Sequence, residues 1–145
     1  MPLLRTVCVV ILATGLFGCG GTAGGIAVTG TVTLDEQPLA DAVVTFYPEG
    51  ETAGLGGAGR TGADGRYTLT AAQGGGGLPP GAYTVVISRP LRPDGTPLPP
   101  NVSPIESDAR ETLPATYSLR DASTLKRTVS KDTKSYDFPL RTIGK

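Results

Sequence analysis

From Ile26 to Leu34 apolar and polar residues alternate. Ile26, Val28, Val32 and Leu34 share one face and Thr29, Thr31 and Thr33 the other, which is the period of a half-buried strand. Gly30 falls on the apolar face and predicts a bulge or a close approach of another segment. Asp35-Glu36-Gln37-Pro38 reads as a turn. In the next run, Ala42 to Tyr47, Val44 and Phe46 alternate with Val43, Thr45 and Tyr47, so both faces are apolar and the strand is expected at the centre of a sheet. A glycine-rich loop, 49–59, leads to Gly59-Arg60-Thr61-Gly62-Ala63-Asp64-Gly65-Arg66-Tyr67-Thr68-Leu69. Asp64-Gly65 predicts a tight primed hairpin turn, and Tyr67 and Leu69 place an apolar face on the strand after it. Residues 71–77, with four consecutive glycines, predict an exposed loop. Tyr83, Val85 and Ile87 repeat the pattern of Tyr67 and Leu69.

Beyond Ser88 the pattern changes. Six prolines at 90, 93, 97, 99, 100 and 104 exclude a helix or a central strand and predict a long extended excursion. Leu113-Pro114-Ala115-Thr116-Tyr117 reads as a short extended piece. Leu125 to Val129 and Ser135 to Leu140 read as a closing hairpin, with Tyr136, Phe138 and Leu140 on one face. Arg127 interrupts the apolar face of its run, which fits an edge strand whose arginine snorkels, and Pro139 suits an edge or a strand end. About seven strands separated by turn signals predict an all-β fold, a single antiparallel β-sandwich.

The N-terminal segment follows different rules. Met1 to Arg5 is a short basic start and Val7 to Gly18 an apolar run, too short for the roughly 20 residues of a membrane span. This is the pattern of a signal peptide. Leu16-Phe17-Gly18-Cys19 resembles the lipobox of bacterial lipoproteins, in which the cysteine becomes the acylated first residue. Gly20 to Gly25 has the composition of a flexible tether. The expected division is a signal peptide at 1–18, a lipidated cysteine and tether at 19–25, and a β-domain at 26–145. Two or more acyl chains, with palmitate the typical kind, hold a protein stably to a membrane at about 0.8 kcal/mol per buried methylene.

Charge and composition narrow the function. Thirteen basic and thirteen acidic residues cancel, so no strong field recruits nucleic acid or anionic lipid. Cys8 and Cys19 are the only cysteines, and the segment after them can form neither an internal disulfide nor a thiolate zinc site. The chain has no histidine, which removes most nucleophile–base pairs and leaves Ser–Lys pairs or paired carboxylates. The acidic groupings Asp35-Glu36, Glu49 with Glu51, and Glu106 with Asp108 all fall in turns or loops and read as solvated charge. Asp64 beside Gly65 lacks the further oxygen ligands and distal glutamate of a calcium loop, so its expected role is structural. The four glycines are followed by Leu78-Pro79-Pro80, which supplies neither the helix nor the lysine of a phosphate-binding loop.

In order along the chain, Val28-Thr29-Gly30-Thr31-Val32, Gln37 to Val44, Thr61 to Tyr67, Pro80 to Val85, Leu113 to Tyr117, Ser123 to Leu125 and Asp137 to Leu140 resemble a known family: bacterial lipoproteins with a carboxypeptidase regulatory-like (transthyretin-like) β-sandwich. Glu36 departs from the glycine common in its first turn. The resemblance implies a transthyretin/prealbumin-like sandwich in the cell envelope, on the periplasmic or outer-membrane face, and no active site or cofactor. The transthyretin-like hydrolase of purine breakdown depends on histidines and a C-terminal tetrapeptide that this chain lacks. The Lys–Asn crosslink of related surface sandwiches needs a lysine on an early strand, and the first lysine here is Lys126. The expected function is therefore that of a non-enzymatic, membrane-anchored module, structural or protein-binding, with an envelope protein as partner. The alternative is a carbohydrate-binding module in the same place with a glycan partner, using tyrosines as stacking platforms.

Overall fold

The structure, a computed structural model, describes residues 24–133 and 135–142. Eleven strands and two single turns of helix succeed one another: β1 (Thr29–Leu34), β2 (Gln37–Pro38), β3 (Val43–Pro48), β4 (Gly57–Arg60), β5 (Arg66–Thr68), β6 (Thr70–Ala71), β7 (Gly81–Ser88), β8 (Pro90–Leu91), a 3-10 turn (Pro104–Glu106), β9 (Arg110–Glu111), α1 (Ala115–Ser118), β10 (Lys126–Val129) and β11 (Phe138–Leu140). The fold is all-β: two sheets, not closed into a barrel, stack as a sandwich. No described helix is long and apolar enough to cross a membrane.

The five-stranded sheet has the order β10-β7-β3-β4-β6, so β3 is its middle strand, as its two apolar faces predict. The other sheet is built around β1. One edge of β1 pairs in parallel with β11, Val32 opposite Phe138. The other edge is shared: β5 pairs with Thr29–Thr31 and β2 with Thr33–Leu34, both antiparallel. The alternating faces meet between the sheets. Val28, Val32, Tyr67, Leu69, Phe138 and Leu140 from one side interlock with Val44, Phe46, Tyr83, Val85, Ile87 and Val129 from the other. Phe46 stands edge-on to Tyr136 and Phe138 at ring-centroid distances of 6.0 and 6.2 Å, an arrangement aromatic quadrupoles favour.

Gly30 shows why a side chain is missing from the apolar face of β1. A Cβ there would stand 2.1 Å from the carbonyl oxygen of Tyr136 and 2.9 Å from the Tyr67 hydroxyl. That hydroxyl donates to the same carbonyl at 2.6 Å, and the Tyr136 amide donates to the Thr29 carbonyl at 2.9 Å. The expectation of close approach holds.

Four sequence expectations are corrected. Asp64-Gly65 does not make a primed two-residue turn. The Gly65 amide donates to the Gly62 carbonyl and the Gly62 amide to Arg66, with positive φ at Gly65 (+74°) but not at Asp64. This is a three-residue loop with a glycine bulge. The primed geometry belongs instead to Asp35 and Glu36, both at positive φ (49° and 68°), which join β1 to β2 without a glycine. The hairpin after Gly59 is also split. Its base pairs β4 with β6, while β5 near the tip crosses to β1 in the other sheet. The closing hairpin does not form: β10 pairs with β7 and β11 with β1, on opposite sheets. Finally, residues 115–118 are a turn of helix rather than extended, started by Pro114, whose carbonyl accepts from the amides of Tyr117 and Ser118.

Candidate functional site

The proline excursion is an ordered structure with a braced root. Ser88 ends β7, and Pro90–Leu91 pairs with Arg110–Glu111 as a two-stranded ribbon, β8 with β9. The Glu111 carboxylate ties the two limbs together. One oxygen accepts from the amides of Arg89, Thr112 and Leu113, each at 2.9 Å, and the other from the Ser88 hydroxyl at 2.5 Å. Bonds from backbone amides to a carboxylate are among the stronger ones available to a protein surface. At the first bend, Asp94 accepts from the amide and hydroxyl of Thr96, which, with the nearby Arg92 charge, holds its carboxyl below the ordinary range. A further turn, Pro104–Glu106, is capped by the Ser103 hydroxyl.

The excursion folds back over the outer face of the five-stranded sheet. Leu98 is only 4% exposed. With Pro99, Val102 and Pro104 it lines a half-open pocket of about 400 Å³ against Val43, Thr45 and Val86. The outer face of the sheet is covered in this way by chain that carries almost no secondary structure, because prolines leave few amides in need of partners.

Two features of the excursion face outward. A cleft of about 760 Å³ lies beside the ribbon, lined by Arg92, Pro93, Ser107, Asp108, Arg110 and Thr112. Neither arginine side chain makes a hydrogen bond or salt bridge among the described residues. Both guanidiniums are therefore available to carboxylates or carbonyls. The second feature is Ile105, 96% exposed at the tip of the capped turn. It is the most exposed large apolar side chain among the described residues. None of these residues is marked as functional by the sequence pattern; arginines interspersed among prolines are the one signal that was present.

The densest ionic cluster lies elsewhere. The Glu49 carboxylate accepts from the Lys126 ammonium and the Thr84 hydroxyl, which lower its pKa, and Lys126 also donates to Thr84 at 2.6 Å. Every polar group of this cluster is engaged with another, and its effect is to fasten β10 to the end of β3. Among the described residues, no group of three or more Asp, Glu, His or Cys side chains is placed to hold a metal ion.

Of the predicted site residues, Asp64 and Gly65 shape the loop between β4 and β5. Asp64 accepts from the Arg66 amide at 3.1 Å, and the Gly65 carbonyl accepts from Val32 at 2.8 Å. Cys19 and the expected signal peptide, 1–18, lie outside the described residues. Of the five tyrosines, Tyr67, Tyr83 and Tyr136 are core residues. Tyr47 is half-buried beneath the Arg120 guanidinium, 4.6 Å from its ring, and Tyr117 is half-buried with its hydroxyl on the Arg141 carbonyl. No tyrosine presents a bare exposed ring of the kind a sugar would stack on.

Comparison with known proteins gives no matching family, no matching curated protein and no matching solved structure.

Proposed function

We propose that this chain is a non-enzymatic lipoprotein of the bacterial envelope, anchored through Cys19, whose transthyretin-like sandwich presents the proline excursion to a partner protein. The anchor rests on the lipobox-like Leu16-Phe17-Gly18-Cys19 and the apolar run before it. The contact role rests on Ile105, exposed on a turn capped by Ser103 in a loop whose root Glu111 braces and whose Leu98 is buried. A segment ordered in this way loses little conformational entropy on binding, so apolar area buried there converts more fully into affinity.

The test is photo-crosslinking in intact cells with a crosslinking amino acid at position 105 and, as control, at Glu36 on the β1–β2 turn. A discrete adduct at 105 that disappears with Ile105→Asp supports the reading. Equal, diffuse labelling at both positions refutes the contact role. The anchor is tested separately by Cys19→Ser, which should abolish fatty-acid labelling and release the protein from membranes; unlabelled, soluble wild type refutes it.

A further inference from the structure

The described chain begins at one end of the sandwich, and the strand directions define which loops share that end. β1 runs away from Gly24, β3 and β6 run toward it, and β7 starts there. Residues 24–26, 49–56 and 72–80 are fastened together at this end. Ile26 and Leu78 exchange backbone hydrogen bonds of 2.7 and 2.9 Å. The Leu55 amide donates to the Gln73 side chain at 2.9 Å, and Ala72 donates to Gly56 at 2.9 Å. The result is a surface of glycine, proline, alanine and threonine. Among the described residues, beyond Glu49, which is engaged with Lys126 and also feels the Arg120 charge, the one charged residue of these loops is Glu51; Lys131 and Asp132, past the end of β10, stand beside them and cancel. From this surface projects Leu55, 72% exposed. An exposed leucine among neutral small residues differs from the opposite end, where Asp35, Glu36, Asp41, Arg60, Asp64 and Arg66 gather.

Five residue steps separate Cys19 from Gly24, and a chain spans at most about 3.6 Å per residue. A lipid on Cys19 therefore keeps Gly24 within about 18 Å of the bilayer surface. We propose that the bilayer itself is the partner of this end: the loops 49–56 and 72–80 rest on the lipid headgroups with Leu55 entering the interface, while the charged end points away. This rests on the lipid-anchor reading. A short tether confines the domain near the membrane, and of its surfaces the neutral end loses least by giving up water while gaining burial of an apolar side chain.

The exported chain has no cysteine other than Cys19, whose thiol the lipid occupies, so one introduced thiol can be labelled alone. Lipidated Leu55→Cys and Asp94→Cys proteins, each carrying an environment-sensitive fluorophore, are reconstituted into phosphatidylethanolamine–phosphatidylglycerol vesicles containing nitroxide-labelled lipid. The expected result is a blue shift and several-fold stronger lipid quenching at position 55 than at 94. Vesicle-bound protein with equal quenching at both positions overturns the orientation and leaves the anchor standing. Protein that stays in the supernatant, with Cys19 open to the thiol reagent, overturns the anchor and the orientation with it.

Discussion

Replacing Gly30 by alanine tests the packing of β1 against the C-terminal segment. The added Cβ would lie 2.1 Å from the Tyr136 carbonyl oxygen and 2.7 Å from its carbon, both backbone atoms that cannot rotate away. Relief requires the segment carrying Tyr136 to move outward, and that stretches the Tyr136-to-Thr29 backbone bond and the Tyr67-to-Tyr136 bond together. Overpacking costs about 1–3 kcal/mol. Loss of the buried hydrogen bond with a carbonyl left unmet costs about 1–3 kcal/mol more. Alanine in a strand returns about 0.5–1 kcal/mol over glycine through the unfolded chain, so the clash decides the sign. The net loss is about 3 kcal/mol, a large share of the roughly 5–15 kcal/mol that holds a typical domain. Urea denaturation followed by tyrosine fluorescence should show a midpoint lowered by about 1–3 M, using the usual urea slope. Gly76→Ala is the control, since a Cβ there meets nothing within 4 Å. Because Gly30→Ala already breaks the Tyr67 bond, Tyr67→Phe should cost about 1 kcal/mol in the wild type and little in the Gly30→Ala background. A Gly30→Ala midpoint no lower than that of Gly76→Ala would refute the packing described for β1.

Gly65→Val should destabilise by more than about 1 kcal/mol, since a β-branched residue at φ +74° is strained and its Cβ would stand 2.5 Å from the Val32 carbonyl; an unchanged midpoint refutes this. Burial first, and the Asp137 charge second, raise the pKa of Tyr67 above its ordinary value near 10. Its contribution is then complete below about pH 10 and is lost as pH rises beyond that. Tyr67→Phe should flatten the alkaline loss of stability without abolishing it, because burial raises Tyr83 as well; an unaltered slope refutes the assignment. Truncation after Arg110 removes Leu113, Val129, Tyr136, Phe138 and Leu140 from the core and should leave a protein that aggregates or binds a hydrophobic dye. A monomer melting cooperatively at the full-length temperature would show instead that residues 111–145 are dispensable to the sandwich.

What alternation can specify is the face a residue takes, and there the reading of the sequence succeeds. Val44 and Phe46, Tyr67 and Leu69, Tyr83, Val85 and Ile87, and Tyr136, Phe138 and Leu140 all point inward as their spacing requires. The central place of β3 follows from its second apolar face, Val43 and Tyr47. Partners are a different matter. A period of two is the same for a strand paired to its neighbour and for one paired across the molecule, so β10 and β11 read as a hairpin while joining opposite sheets. Turn chemistry misled in the same way. Asp-Gly favours a primed turn, yet β5 must leave β4 to reach β1, and a three-residue loop permits that departure. In the excursion, prolines specify only that regular structure stops. That Leu98 folds onto the sheet depends on the outer face of β3 and β7 being apolar enough to receive it, a fact about distant residues.

The division of β10 and β11 between the sheets has a consequence for the whole domain. Each strand lies at the edge of its own sheet, and Arg127 of β10 spans the gap between them. Its guanidinium lies 4.6 Å from the Phe138 ring centroid and donates to the Asp137 carbonyl at 3.2 Å. A charged residue on the apolar face of an edge strand therefore closes the open side of the core with its stem and planar head, and leaves its charge at the rim. Had the two runs paired as a hairpin, they would have extended one sheet and left the β1 edge bare. Because β11 instead lies parallel to β1, the chain continues to the end opposite Gly24, where Thr142 bonds both oxygens of Asp35 at 3.0 and 2.6 Å. The excursion is rooted at that end too, since β7 runs toward it before Pro90. Under the proposed anchor, the bilayer and the root of the excursion then lie at opposite ends of the same strands, so a partner can approach that root without displacing the loops that face the lipid.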